Sequence, residues 1–196
     1  VEVRDDIALI TFDTPGSSVN TFTPAALGEF VAILERLEKD DTIKAAVFFS
    51  GKPDIWIAGA DVEELLTLPT AADAERLSRT GHAIMDRVER LRAPVIAAIQ
   101  GACLGGGLEF ALACAYRIAA DTPKTVLALP EVNLGLIPGA GGTQRLPRTV
   151  GLQQALEMIL RGNNVRARKA LQTALVDELV HPAILREIAL ARADVV

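Results

Sequence analysis

The stretch PVIAAIQGACLGGGLE, Pro94 to Glu109, restricts what this chain can fold into more than any other. A short apolar run ends at a glycine cluster, and an alanine-rich run, FALACAYRIAA, follows it. The pattern predicts a buried strand, a turn, and a helix with Glu109 in its first turn. Gly105, Gly106 and Gly107 do nothing for helix stability, because each glycine costs a helix interior about 1 kcal/mol relative to alanine. Such a run suits a sharp turn with positive φ. It equally suits backbone that something else must approach closely, such as an anion or oxyanion at the positive end of a helix. Taken alone, the stretch leaves both readings open.

The flanking segments alternate strand and helix patterns. Residues 1–12 read as one strand with IALITF as its apolar part, and DTPGSS reads as a turn. Thr23-Pro24 opens a helix running to about residue 40, with Leu27, Phe30, Val31 and Leu34 at helical spacing. IKAAVFFSG is continuously apolar, as expected of a strand covered on both faces. Asp61 can cap the following helix, with Glu64 as its reciprocal partner. An amphipathic helix over about 71–91 puts Leu77, Ile84, Val88 and Leu91 on one side, with Met85 filling core. Further on come a short strand TVLAL, a loop with Pro138, Gly139, Gly141 and Gly142, helices near 152–160 and 167–174, a strand LVDELV and the start of a last helix. No repeat or linker interrupts this order, so the class is α/β in a single domain over 1–196. Spacing alone does not separate a doubly wound sheet from a spiral. Valine rather than methionine at position 1 suggests a processed chain or an N-terminal piece of a longer one.

Several chemistries are poorly supported. A net charge of −5 argues against nucleic acid as the main partner, while leaving room for a local basic patch. No apolar run approaches the roughly 18 residues of a membrane span. Cys103 and Cys114 lie in apolar surroundings without metal-ligand spacing, and read as reduced buried thiols. His82 and His181 are too dispersed for a metal site. The dinucleotide fingerprint G-x-G-x-x-G fails at Gln144 after Gly139 and Gly141, and at Phe110 after Gly105 and Gly107. No P-loop lysine or G-x-S-x-G elbow is present. What remains is carboxylate chemistry beside N–H donors. Glu109 lies within GLEFALAC, and Glu131 follows a proline between VLALP and VNLGLIPG. Either alone suits a salt bridge or a loop surface. Two acids in apolar settings, each beside a glycine cluster, suggest a pair holding one water, with one accepting a proton and the other donating one.

These segments also resemble a known family. IAGADVEE, then GACLGGGLEFALAC, then LPEVNLGLIPGAGGTQRLPR, in this order, resemble the crotonase superfamily and in particular enoyl-CoA hydratase. CLGGGLE, DTPKTVLALPEV and ALEMILRG look closest to the hydratase domain of multifunctional fatty-acid oxidation proteins. The likeness covers nearly the whole chain.

The resemblance implies a spiral of ββα units with helices outside, and hydration of 2-trans-enoyl-CoA in fatty-acid β-oxidation. Glu109 matches the glutamate that activates water for attack at C3, and Glu131 the one that protonates C2. The N–H groups of Ala58 and Gly106 match the two donors of the oxyanion hole. Gly59, Ala60, Asp61 and Gly105 would shape the CoA-binding edge, and Ile137, Pro138 and Gly139 would line the acyl pocket. CoA is carried by the substrate, so neither metal nor cofactor is expected. Lys52, Arg145 and Arg148 read first as plain solvated surface, with binding of CoA phosphates as the alternative for each. The family also implies an acyl-CoA substrate and a thiolase subunit partner or homo-oligomer in the full-length protein. It implies a cytoplasmic setting if the source is a bacterium and the mitochondrial matrix if it is a eukaryote, and C-terminal helices beyond residue 196. One departure is Ala174, where the family has glycine. The alternatives are a Δ3-Δ2-enoyl-CoA isomerase, or a non-catalytic acyl-CoA- or RNA-binding module on the same fold.

Overall fold

The computed structural model describes residues 1–196, the side chain of Glu64 excepted. The chain starts as a hairpin, not the single strand expected. β1 (Glu2–Arg4) pairs antiparallel with β2 (Ile7–Phe12) across Asp5 and Asp6, whose φ values are 47° and 64°. Aspartate tolerates this left-handed region better than most residues, so the pair can stand where Asn-Gly would have announced the turn. α1 (Pro24–Lys39) follows, with the Thr23 hydroxyl accepting from the Ala26 N–H and Pro24 at the first helical position. It buries Phe30, Leu34 and Leu37.

From there a unit recurs: a strand in a large sheet, a short strand in a second sheet, then helix. β3 (Ala45–Ser50) leads to β4 (Ile55–Ile57) and then α2 (Val62–Leu66) and α3 (Ala71–Arg90). β5 (Val95–Ile99) leads to β6 (Ala102–Leu104) and α4 (Gly106–Ala113). β7 (Tyr116–Ala120) leads to β8 (Val126–Ala128), a 3-10 turn (Glu131–Leu134), α5 (Gly142–Val150) and α6 (Leu152–Arg161). The chain ends with β9 (Val165–Arg166), α7 (Ala167–Gln172), β10 (Glu178–Val180) and α8 (Leu185–Ala193). The large sheet has the order β1-β2-β3-β5-β7-β10 and the small one β4-β6-β8-β9. Among the described residues the β1–β2 and β8–β9 pairs are antiparallel and every other strand pair is parallel. Successive ββα units thus build both sheets at once, as a spiral does.

Two elements differ from the sequence reading. YRIAA, taken with the alanine-rich run before it, is strand β7, separated from α4 at Cys114. Ile118, Ala119 and Ala120 are all buried, so the segment shows neither helical nor alternating periodicity. α5 stands where a loop was expected. It opens on Gly141 at φ 111° and contains Pro147, both signals against helix, and it holds by burying Leu146 and packing against α4. Trp56 is fully buried and stacks on Phe110 at 5.6 Å between centroids, so it is core, as is Met85. No helix among the described residues is long and apolar enough to cross a membrane.

Register in the small sheet positions the site. Ile57 lies opposite Cys103, and Cys103 opposite Leu127, with β4, β6 and β8 all parallel. Their carboxyl ends therefore emerge side by side. Ala58–Asp61, Gly105–Gly107 and Pro130–Glu131 all leave from that one edge, where open parallel sheets bind ligands.

Candidate active site

The glycine cluster makes a sharp turn and lets main chain approach closely. Gly105 takes φ 52° and caps α4, and its N–H donates to the Ala128 carbonyl, which ties the turn to the end of β8. Gly107 lets α4 start against β4, because a Cβ there would lie 2.5 Å from the Ile57 carbonyl oxygen. Gly59, at φ 98°, would put a Cβ 3.4 Å from the Gly106 nitrogen. Absent side chains thus bring two stretches of main chain together.

The amides there differ from the sequence expectation. The Ala58 N–H donates to the Asn20 carbonyl at 2.8 Å, so it is already engaged and cannot serve as the free donor assigned to it. Ala60, two residues on, is exposed, and its N–H has no acceptor among the described residues. Its nitrogen would lie 3.7 Å from a Cβ on Gly106. The N–H pair that the fold leaves available is Ala60 with Gly106. Asn20, between the DTPGSS turn and the first helix and not singled out from the sequence, fixes this geometry. It is fully buried and donates through Nδ2 to the Phe12 carbonyl, Ser50 Oγ and the Trp56 carbonyl, while Oδ1 accepts from the Thr14 N–H. Beside it, the Phe22 N–H donates to the Gly59 carbonyl at 2.8 Å.

Glu109 is 3% exposed. Its Oε1 accepts from the N–H groups of Ala140 and Gly142, each at 2.8 Å. Gly142 must be bare here, since a Cβ would lie 3.0 Å from that oxygen. Burial pushes the Glu109 carboxyl up from its ordinary range, while the two amides and the nearby His82 and Arg145 work in the opposite direction. Glu131 has no comparable support. Its Oε2 is buried without a hydrogen-bond partner, and Oε1 sits 3.1 Å from where a Cβ on Gly105 would be. Burial first, and the Glu109 charge in addition, push the Glu131 carboxyl up to about 7, against its own backbone N–H. One acid is therefore clasped by donors and the other is left to keep its proton. An arrangement of this kind can let one carboxyl accept a proton while the other donates one.

The other residues singled out are placed as follows. Asp61 caps α2 by accepting from the Glu63 N–H, while its expected partner, the Glu64 side chain, lies outside the described residues. Pro138 is buried, and Gly139 accepts from Ser78 Oγ, so both belong to the loop that holds Glu109. Ile137 is 73% exposed, and Val132, Leu134 and Leu136 of the same segment are exposed as well. Arg145 is not available to CoA phosphates: its side chain is 11% exposed and paired with Asp86 and Glu89. Lys52 pairs with Asp13, and Arg148 with Gln144 of its own helix. Cys103 and Cys114 are buried free thiols. Among the described residues, no three His, Cys, Asp or Glu side chains are grouped to hold a metal ion.

Comparison with known proteins gives the family and supports the fold. The enoyl-CoA hydratase/isomerase family profile matches residues 2–195. The chain belongs to that family. A solved relative, the enoyl-CoA hydratase of Bacillus anthracis, superposes with a TM-score of 0.91 at 34% identity, covering 99% of this chain and 74% of that one. Two curated relatives are named fatty acid oxidation complex subunit alpha. The protein from Idiomarina loihiensis is 53% identical over 194 residues, and that from Shewanella amazonensis 50% identical over 191. The chain spans 27% of the length of either. The crotonase spiral anticipated from the motifs is thus the fold of this family member.

Proposed function

We propose that the chain hydrates 2-trans-enoyl-CoA to 3-hydroxyacyl-CoA as a step of fatty-acid β-oxidation, with Glu109 as base and Glu131 as acid. The observation carrying this reading is the unequal treatment of the two carboxyls: two amides grip Glu109, while Glu131 Oε2 is buried unpartnered. The thioester oxygen sits between the N–H groups of Ala60 and Gly106, which strengthen their hold as it gains enolate charge. With Oε1 engaged, Glu109 Oε2 takes a proton from water as the water oxygen bonds to C3. The C2–C3 π electrons move toward the thioester oxygen, and the enolate then returns them to C2, which takes the proton of Glu131. Product leaves Glu109 protonated and Glu131 ionised, and solvent exchange restores both. Conjugate addition needs a polarised carbonyl, a placed water and a proton donor, so the reading includes no cofactor.

The exposed apolar side chains of Val132, Leu134, Leu136 and Ile137 support acyl-chain contact. The relatives' names, subunit alpha of a complex, support a further subunit for the longer protein, which we read as a thiolase, and their bacterial origin supports a cytoplasmic setting. Crotonyl-CoA with the purified chain, followed by loss of enone absorbance, tests the proposal. Hydration should fall about 10²–10⁴-fold in both Glu109→Gln and Glu131→Gln. A chain that isomerises 3-enoyl-CoA without hydrating crotonyl-CoA, and does so undiminished in Glu109→Gln, refutes it in favour of the isomerase. A chain that binds acyl-CoA and turns over neither substrate refutes catalysis altogether.

A further inference from the structure

We propose that Arg145 is a positioning residue for the base: anchored to α3, it holds the loop whose amides clasp Glu109 and adds a positive charge in that carboxyl's neighbourhood. The inference rests on the role proposed for Glu109. Both amides that hold Glu109 belong to the segment 138–142, which carries no regular structure until α5 begins. Unaided, such a segment would leave Glu109 free to move by the fraction of an ångström that matters to a near-attack geometry.

Two side chains from outside the segment fix it. Ser78 on α3 donates its hydroxyl to the Gly139 carbonyl at 2.6 Å. Arg145 on α5 reaches back to the Ala140 carbonyl through Nη1 at 3.4 Å. The remaining guanidinium donors go to α3: Nη2 lies 2.6 Å from Asp86 Oδ1, and Nε and Nη2 lie 3.1 and 2.8 Å from Glu89 Oε2. The guanidinium occupies the space that a Cβ on Gly141 would need, which accounts for a glycine there at φ 111°. A planar fork that contacts one carbonyl and two carboxylates is a task for arginine, and lysine cannot reproduce it.

The same group acts through its charge. The charged and titratable groups around Glu109 are His82 on α3, Arg145 on α5 and Glu131 in the 3-10 turn, with Asp86 and Glu89 behind Arg145. Arg145 and His82 favour the ionised base, and Glu131 opposes it once ionised. Asp86 and Glu89 have side chains 45% and 58% exposed, so losing Arg145 leaves no buried orphan charge and the fold should persist.

The test compares the full chain with Arg145→Met, Arg145→Lys and Ser78→Ala, measuring crotonyl-CoA hydration against pH, with circular dichroism to give the folded fraction. Arg145→Met should lose about 10- to 100-fold in kcat at neutral pH. Its activity relative to the parent should fall further as pH drops through the acid limb, because the base has lost a stabilising cation. Arg145→Lys should restore the parental acid limb while kcat stays low, and Ser78→Ala should lower kcat by one factor at every pH. An Arg145→Met profile parallel to that of the parent, after correction for folded fraction, would overturn the charge role. Parental kcat in both Arg145→Lys and Ser78→Ala would overturn the positioning role. The underlying reading fails separately, if the parent does not hydrate or if Glu109→Gln matches it.

Discussion

Glu131→Gln should make the protein more stable in base than in acid relative to the parent, even as it removes activity. The Glu131 carboxyl is raised from an ordinary 4.5 to about 7, so the folded chain holds this proton more tightly than the unfolded chain does. For an acid raised in this way, ionisation opposes folding. The penalty is absent below about pH 4.5, grows through the window up to about 7, and is complete above it. At roughly 1.4 kcal/mol per pH unit the difference corresponds to about 3.5 kcal/mol, and the partial solvent access of the carboxyl reduces it to about 1.5. About 1 kcal/mol of that should be relieved between pH 8 and pH 5. For a domain of this size 1 kcal/mol moves Tm by about 2–4 °C. Thermal unfolding of parent and variant at both pH values, followed by circular dichroism, gives the double difference, in which the steric effect of the amide cancels. The variant's Tm advantage should be about 2–4 °C larger at pH 8. An advantage equal at both pH values, or larger at pH 5, would refute the reasoning.

Other substitutions probe other links. Gly142→Ala should lower kcat about 100-fold with KM little changed, because its Cβ would meet Glu109 Oε1 at 3.0 Å and Pro138 Cβ at 3.0 Å; steady-state kinetics reads the split. Gly107→Ala should cost about 2–3 kcal/mol in urea unfolding, since its Cβ would press on the Ile57 carbonyl and displace α4 from β4. Ala174→Gly should add about 0.5–1 kcal/mol in the same assay. Ala174 sits at φ 58°, where alanine is strained and glycine is not, less the greater chain entropy glycine loses on folding.

Much of this site was legible in the chain because its parts lie beside glycine clusters in apolar surroundings. Glu109 and Glu131 stood out as acids where acids are costly, and the structure brings each against a bare glycine. The donor pair was half legible. Both amides belong to the motifs that suggested them, but whether Ala58 or Ala60 has a free N–H depends on where the Asn20 carbonyl lies, a contact across 38 residues that no local pattern encodes. The support around Glu109 was hidden for a similar reason. Ser78, Asp86 and Arg145 look like ordinary polar positions, and their roles appear only once α3 and α5 lie side by side. The missed elements follow the same logic: β7 and α5 contradict their local propensities and are held by burial on both faces and by packing on α4.

The central claim is that the two carboxyls of the site differ, Glu131 keeping its proton to higher pH than Glu109. NMR of the chain labelled with 13C at the glutamate carboxyls reads this directly, with Glu109→Gln and Glu131→Gln identifying the two signals. The account predicts that the signal lost in Glu131→Gln titrates with a midpoint near 7, and that the signal lost in Glu109→Gln titrates below it. Both carboxyls fully ionised at pH 6, or the proton resting on Glu109, would contradict it.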